Sequence, residues 1–320
     1  KLIEAMKKIL ICGATGFIGR NIAEFYTSQE GFEVYGTYLN SELWSSSELK
    51  MIKADLTKTE DVERVIQGMD IVVQAAATTS GAKDIVNRPY YHVTDNAVMN
   101  SLIFRAAYEH SVSHVVFFSC TVMYQSSDVP LKETDFDPNQ EIHKNYFGVG
   151  WTKVYIEKMC EFYSRLGRTK YTVLRHSNIY GPHDKFDLEK SHVFGATMTK
   201  VLTDKENKIV VWGTGEEERD LLYVSDIVEF VRLALEKQQN VFELFNVGYG
   251  SSIAIKALVE KIIECSGETF NIEYDLSQPT IKTTLCLDCE KAKSEFGWVP
   301  QVSTEKGIQK TMDWYRAYIL

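Results

Sequence analysis

Apolar residues along the chain fall into short unbroken runs, separated by longer stretches in which they recur every three or four places. Short runs rich in Ile and Val read as strands buried on both faces, and the periodic stretches read as helices lying on a sheet. Ile9-Leu10-Ile11-Cys12 is the first such run, and residues 32–38, 51–56, 71–77, 114–121 and 172–175 predict further strands. Residues 21–28, 59–68, 93–110 and 146–165 carry helical periodicity in between. This alternation predicts an α/β domain around a parallel sheet.

The alternation weakens after Gly181-Pro182, a pair that marks departure from the sheet. Residues 183–189 read as a charged loop, 191–202 as a helix, and 209–213 as a short strand before a Gly-Thr-Gly turn. Residues 221–224 predict a return to the first domain, with Ser225 or Asp226 capping a helix over 227–235. The remainder, 251–320, reads as a helix, a short strand and a final helix. The expected organisation is a dinucleotide-binding domain from 1–178 plus about 221–248, and a substrate domain from about 179–220 plus 249–320. Residues 125–144, with Pro130 and Pro138, predict a surface flap.

The first strand runs into Gly13-x-x-Gly16-x-x-Gly19 and then a helix. Glycine permits a sharp turn and close approach to the backbone, and the free N–H groups of a helix start face an anion. Gly13, Thr15, Gly16, Phe17 and Ile18 therefore read as a cradle for a nucleotide diphosphate; the alternative is a tight turn without a ligand. The second strand ends in Tyr38-Leu39-Asn40-Ser41, with no carboxylate before Glu42 to receive ribose hydroxyls. Asn40 stands at that end, and Arg20 suits a 2′-phosphate, which favours NADP over NAD. Arg20 otherwise reads as a solvated helix residue. Asp55, beside Leu56, either accepts from an adenine amino group or caps the helix over 59–68. Ala75, Ala76 and Ala77 leave room for a flat ring. Ser119, Cys120 and Thr121 end the fifth strand, where side chains point at a ligand or simply cap the strand.

With 320 residues, 44% hydrophobic and 25% charged, the composition is that of an ordinary globular protein. A net charge of −9 without a basic patch argues against nucleic acid as a partner, so any nucleotide must be held by backbone N–H groups and a few local cations. No apolar run approaches the roughly 20 residues that span a bilayer. Residues 1–6 lack the apolar core of an export signal, and 1–5 read as a remnant ahead of a Met6-Lys7-Lys8 start. Among six cysteines, Cys286-Leu-Asp-Cys289 is the only close pair, so free thiols in a cytoplasmic protein are expected and no metal site is.

Taken in order, these segments resemble the extended short-chain dehydrogenase/reductase family, the NAD-dependent epimerases and dehydratases of nucleotide sugars. The supporting stretches are the glycine motif, Ser119 to Tyr124, Ser177 to Pro182, Arg219-Asp220-Leu221-Leu222-Tyr223-Val224, Asp288-x-x-Lys291-Ala292 and Phe296-Gly297-Trp298-Val299-Pro300. Tyr180-Gly181-Pro182-His183-Asp184-Lys185-Phe186, Ser191-His192-Val193 and Val211-Trp212-Gly213-Thr214-Gly215 bring the likeness nearest to reductase/epimerases of the GDP-L-fucose synthase kind. The resemblance implies a Rossmann doubly wound parallel sheet with a smaller carboxyl-terminal α+β domain. It implies hydride transfer between NAD(P) and a GDP-linked sugar, and a homodimer through the helices over 93–110 and 146–165.

By the same resemblance Asn178 and Arg219 hold the sugar nucleotide, with Lys185, Val193 and Trp212 lining it and His192 beside the sugar as an acid. The family's Tyr-x-x-x-Lys pair handles the proton, and Lys153 fits its lysine; four residues earlier stands Val149, which neither gives nor takes a proton. Tyr146, seven residues before Lys153, would share its helix face about 10 Å along the axis. Cys120 falls at the family's hydroxyl position, flanked by Thr121, and the acid that dehydratases carry is missing. The sequence thus leaves Cys120, Thr121, Lys153, Tyr146 and His192 as catalytic candidates. The other reading is an NAD(P)-binding regulatory protein or disabled homologue.

Overall fold

A computed structural model describes residues 6–320 apart from 42, 45, 80–87, 189–190, 205–206 and 279–283, so Glu42 and residues 1–5 lie outside the described residues. The chain divides into two compact units. The first holds residues up to Met123 with Pro138–Arg175 and Val228–Phe245; the second holds Tyr124–Asp137, His176–Ile227 and Asn246–Leu320.

The first unit is built on strands β1 (Lys7–Cys12), β2 (Phe32–Tyr38), β3 (Leu49–Lys53), β4 (Ile71–Gln74), β5 (His114–Phe118), β6 (Lys170–His176) and β10 (Phe242–Val247). They form a seven-stranded sheet in the order β10-β6-β5-β4-β1-β2-β3. The pairings of β1 with β2 and β4, β2 with β3, β4 with β5 and β5 with β6 are all parallel. The order reverses direction between β1 and β4, the switch point beyond whose strand ends such sheets take ligands. Helices α1 (Phe17–Thr27), α2 (Thr59–Ile66), α3 (Thr94–Glu109) and α4 (Phe147–Ser164) flank it. On one face Leu10, Val72, Val115 and Val173 pack with Val62 and Ile66 of α2, Ile103 and Phe104 of α3 and Ile156 of α4. Phe104 meets Phe117 and Tyr171 edge-on at 5.8 and 5.5 Å, the preferred geometry for buried rings.

Three strands stop earlier than the run of apolar residues predicts, two of them for a visible local reason. β4 ends at Gln74, whose side chain both donates to the Ala76 carbonyl (3.2 Å) and accepts from its N–H (3.2 Å), so Ala75, Ala76 and Ala77 lie past the strand. β5 ends at Phe118, and Ser119 and Cys120 follow it. β3 spans Leu49–Lys53, and Asp55 then turns the chain by accepting from the N–H and hydroxyl of Thr57 at 3.0 and 2.6 Å. That carboxylate does not cap α2, whose N-cap is Lys58.

The second unit contains β7 (Asn178–Tyr180), β9 (Glu218–Tyr223) and β11 (Ser252–Ala254) in one sheet, and β8 (Lys208–Trp212) paired in parallel with β12 (Asn271–Asp275) in another. Helices α5 (Val193–Thr203), α7 (Ile255–Ser266), α8 (Glu290–Phe296) and α9 (Thr304–Tyr318) complete it, while α6 (Val224–Lys237) runs from this unit into the first. Tyr180, Phe194, Met198, Val211, Tyr223, Leu258, Ile308 and Met312 form its core. The segment expected to rejoin the first domain at 221 instead pairs through β9 with β7 and β11. Neither Ser225 nor Asp226 precedes α6; both lie inside it, and the Asp226 carboxylate accepts from the Val302 N–H at 3.1 Å. The expected flap is also partly woven into this unit, because Leu131 donates to the Cys286 carbonyl and accepts from the Asp288 N–H.

Candidate active site

The glycine turn is built by contact, not by sequence alone. Gly13 has φ +74°, and a side chain there would place Cβ 2.8 Å from the Ala76 Cα. A Cβ on Gly19 would lie 2.2 Å from the Gly13 carbonyl, so α1 packs directly on the turn. The Gly13 N–H donates to Thr37 Oγ1 at 2.9 Å and the Ala14 N–H to the Thr37 carbonyl at 2.9 Å, which ties the turn to β2. Gly16 is the N-cap of α1, with no side chain capping the first turn. Thr15, Phe17 and Ile18 are half-buried there. An exposed helix start without a side-chain cap, on a turn that admits no Cβ, is chemically suited to a diphosphate.

Around that turn the other candidates divide. Arg20 is engaged on its own helix, 3.0 Å from Glu24, and its guanidinium lies 4.8 Å over the Trp44 ring, so it is not simply solvated. Asn40 is exposed just after β2. Hydrogen bonds from Thr57 hold the Asp55 carboxyl below its usual range; Leu56 is buried. The alanines are held by amides that no apolar pattern singles out. Gln74 donates to Asn100 (3.0 Å), Asn100 donates to the Asn96 carbonyl (2.8 Å), and Asn96 exchanges two bonds with the Thr78 backbone at 3.0 and 2.9 Å. Buried amides in an apolar helix are the signal that would have found them.

At the end of β5 the structure brings Cys120, Lys153 and Glu157 together. Lys153, on α4, donates to the Phe118 carbonyl at 2.9 Å and sits 4.8 Å over the Phe117 ring. Burial holds its ammonium below the usual lysine range, against the opposite pull of Cys120 and Glu157. Burial likewise pushes the Cys120 thiol up, against the lowering effect of Lys153. Ser119 is removed from contention: it is buried, and its hydroxyl donates to Glu157 Oε1 at 2.5 Å. Cys120 and Thr121 remain, both half-buried.

Tyr146 stands at the start of the helix that carries Lys153, seven residues ahead of it. It ends a separate 3₁₀ turn, Lys144–Tyr146, and forms the N-cap of α4 with its ring 5.7 Å from that of His143. Val149 is half-buried on α4.

In the second unit Asn178 opens β7 opposite Leu221, and Arg219 lies in β9 opposite Ile253, donating to the Glu218 carbonyl at 2.8 Å. Trp212 ends β8 with 54% of its surface exposed. His192 is the N-cap of α5 without a capping side-chain bond, followed by Val193. Although His192 has accessible surface, desolvation by its neighbours, and second the charge of Lys185, draw its imidazole below the usual range. That shift favours the neutral, hydrogen-bonding imidazole at pH 7. Lys185 is exposed and donates its N–H to the Asp184 carboxylate at 2.7 Å.

No helix among the described residues is long and apolar enough to cross a membrane. Among the described residues, no group of three or more His, Cys, Asp or Glu side chains is placed to hold a metal.

The chain is similar to known proteins over nearly its whole length. It is 28% identical to a GDP-L-fucose synthase of Azorhizobium caulinodans, covering 97% of this chain and 96% of that protein. It is 27% identical to a GDP-L-colitose synthase of Yersinia pseudotuberculosis, covering 96% and 97%. A solved UDP-glucose 4-epimerase of Thermotoga maritima superposes with a TM-score of 0.87 at 26% identity, covering 98% of this chain and 100% of that one. The model of the NAD dependent epimerase/dehydratase family matches residues 9–248, and the glycine cradle and Lys153 fall within that span. On these grounds the chain belongs to the NAD dependent epimerase/dehydratase family, whose members use a nicotinamide cofactor.

Proposed function

We propose that the protein is a sugar-nucleotide reductase or epimerase that works with a bound nicotinamide dinucleotide, NADP in preference to NAD, on a GDP-linked hexose. The observation that carries this reading is the pairing, in one unit, of an uncapped glycine-lined helix start with a desolvated lysine at the end of β5. The likeness to two enzymes named for GDP-sugars supports the choice of nucleotide. Arg20, held by Glu24 over Trp44, supports the 2′-phosphate.

When bound, the nicotinamide supplies or accepts a hydride. The main-chain donors at Phe17 and Ile18 hold the diphosphate, the Gly16 N–H being spent on the Gly13 carbonyl at 3.0 Å, and the alanines after β4 leave space for a planar ring. Lys153 offers its ammonium to a ribose hydroxyl. At the sugar oxygen a proton must also move, and Val149 cannot move it. Thr121 and Cys120 are the hydroxyl and thiol that the β5 end provides for that task, with Lys153 as the neighbouring charge. Asn178, Arg219, Lys185, Val193 and Trp212 bind the sugar nucleotide in this reading, and His192 donates a hydrogen bond as a neutral imidazole.

Fluorescence titration with NADPH and NADH, followed by thermal shift with GDP-, UDP-, dTDP- and CDP-sugars, tests each part. NADPH binds more tightly than NADH, Arg20→Ala abolishes that difference, and a GDP-sugar raises Tm most. A UDP-sugar giving the largest rise would overturn the choice of nucleotide; no response to either coenzyme would overturn the whole reading. Val149 favours one rival, a binding protein that has lost catalysis. Val149→Tyr tests it: from a null background a large gain in 4-keto sugar reduction marks a disabled enzyme and no change marks the binding protein, whereas measurable turnover in the unaltered chain excludes the rival.

A further inference from the structure

Glu157 and Arg175 pair across α4 and β6 at 2.7 Å, with 4% and 6% of their side chains exposed. Burying two charges carries a desolvation penalty large enough that apolar residues of similar volume often serve stability as well or better. A pair retained in the core therefore invites a geometric explanation. Glu157 Oε1 accepts from Ser119 Oγ at 2.5 Å and from Arg175 Nε at 3.0 Å, while Oε2 accepts from Arg175 Nη2. The Ser119 N–H donates to the Leu174 carbonyl at 2.8 Å, one residue before Arg175. One helical turn earlier on α4, Lys153 holds the Phe118 carbonyl. Two consecutive residues at the β5 end are thus tied to two consecutive turns of α4.

We propose that Glu157 and Arg175 are positioning residues: with Ser119 they fix the backbone from Phe118 to Thr121 against α4, so that Cys120 and Thr121 are the groups this segment offers beside Lys153. The catalytic meaning rests on the function proposed above; the geometry does not. Cys120 reports on it directly. The groups facing its thiol are Lys153 and Glu157 from α4, Arg175 from β6 and the Val122 N–H. Glu157 raises the thiol pKa and Arg175 lowers it, so removing the carboxylate leaves two cations acting in the same direction.

The test is peptide-resolved iodoacetamide alkylation of Cys120 against pH, on the full chain, with Tm measured on the same samples. In Glu157→Gln the midpoint falls, because a charge that raises the thiol is removed while Lys153 and Arg175 remain. In Ser119→Ala, which leaves the ion pair intact, the midpoint stays and the plateau rate rises roughly threefold or more as one hydrogen-bond tether is lost. The midpoint shift in Glu157→Gln reports only that the carboxylate faces the thiol; a pair that merely stabilises the fold would lower Tm and leave the Ser119→Ala plateau rate unmoved, and that result would overturn the inference. Should Glu157→Gln fail to fold, Ser119→Ala decides alone, and an unchanged plateau rate overturns the proposal. A chain that binds neither NADPH nor NADH refutes the coenzyme reading, whereas the alkylation profiles still decide whether Glu157 and Arg175 position the segment.

Discussion

At the scale of single residues the cradle depends on the absence of two side chains. Gly13 needs both its positive φ and its missing Cβ, and Gly19 needs only the missing Cβ. Forcing a methyl against backbone costs about 1–3 kcal/mol. Gly19→Ala is therefore expected to lower Tm in a thermal melt and to weaken NADPH by roughly tenfold or more in a fluorescence titration, since each 1.4 kcal/mol is tenfold in affinity. Lys153→Met keeps the stem that packs on Phe117 and removes the charge. It is expected to weaken coenzyme binding by roughly tenfold, with Tm of the apo chain unchanged or raised, because a desolvated ammonium is no longer buried.

At the scale of elements, two desolvated titrating groups, His114 buried and Asp184 half-buried, give opposite pH dependences. His114 starts β5, and its Nε2 lies 2.7 Å from Thr172 Oγ1 of β6. Burial lowers its pKa from 6.5 to about 4. Between those values the unfolded chain holds a proton that the folded chain lacks, so stability is lost as pH falls through that window. His114→Gln, which cannot titrate, is expected to flatten the acid side of a Tm–pH curve. Asp184, in the loop after β7, runs the other way. Burial raises its carboxyl from 3.8 to about 7, so the folded chain holds the extra proton and stability falls as pH climbs between them. Asp184→Asn can still accept from the Lys185 N–H, and its Tm advantage over the unaltered chain is expected to grow from about pH 4 to about pH 8, above the ordinary carboxylate range.

At the scale of the whole molecule, Val98 on α3 and Tyr155 and Phe162 on α4 are exposed apolar side chains, 40%, 54% and 56% accessible. A homodimer that uses these two helices covers them. Light scattering is expected to give twice the mass of the single chain, and Phe162→Asp to return it to the mass of one chain. A single-chain mass for the unaltered protein would remove the dimer.

The parallel sheet, the glycine turn and the helix carrying Lys153 were all legible in the sequence, because strand burial, turn conformation and helix periodicity are properties of neighbouring residues. Even there the end of β4 was not, since the Gln74 side chain folds back on the Ala76 backbone by bonds that no apolar count reveals. Only the tertiary structure decided that Ser119 is spent on Glu157, that a 3₁₀ turn ending at Tyr146 leads into α4, and that β9 joins β7 and β11. It alone showed that Arg175 answers Glu157 across 18 residues of chain. Those outcomes depend on which groups meet once distant segments pack, and on the cost of leaving a buried polar atom without a partner.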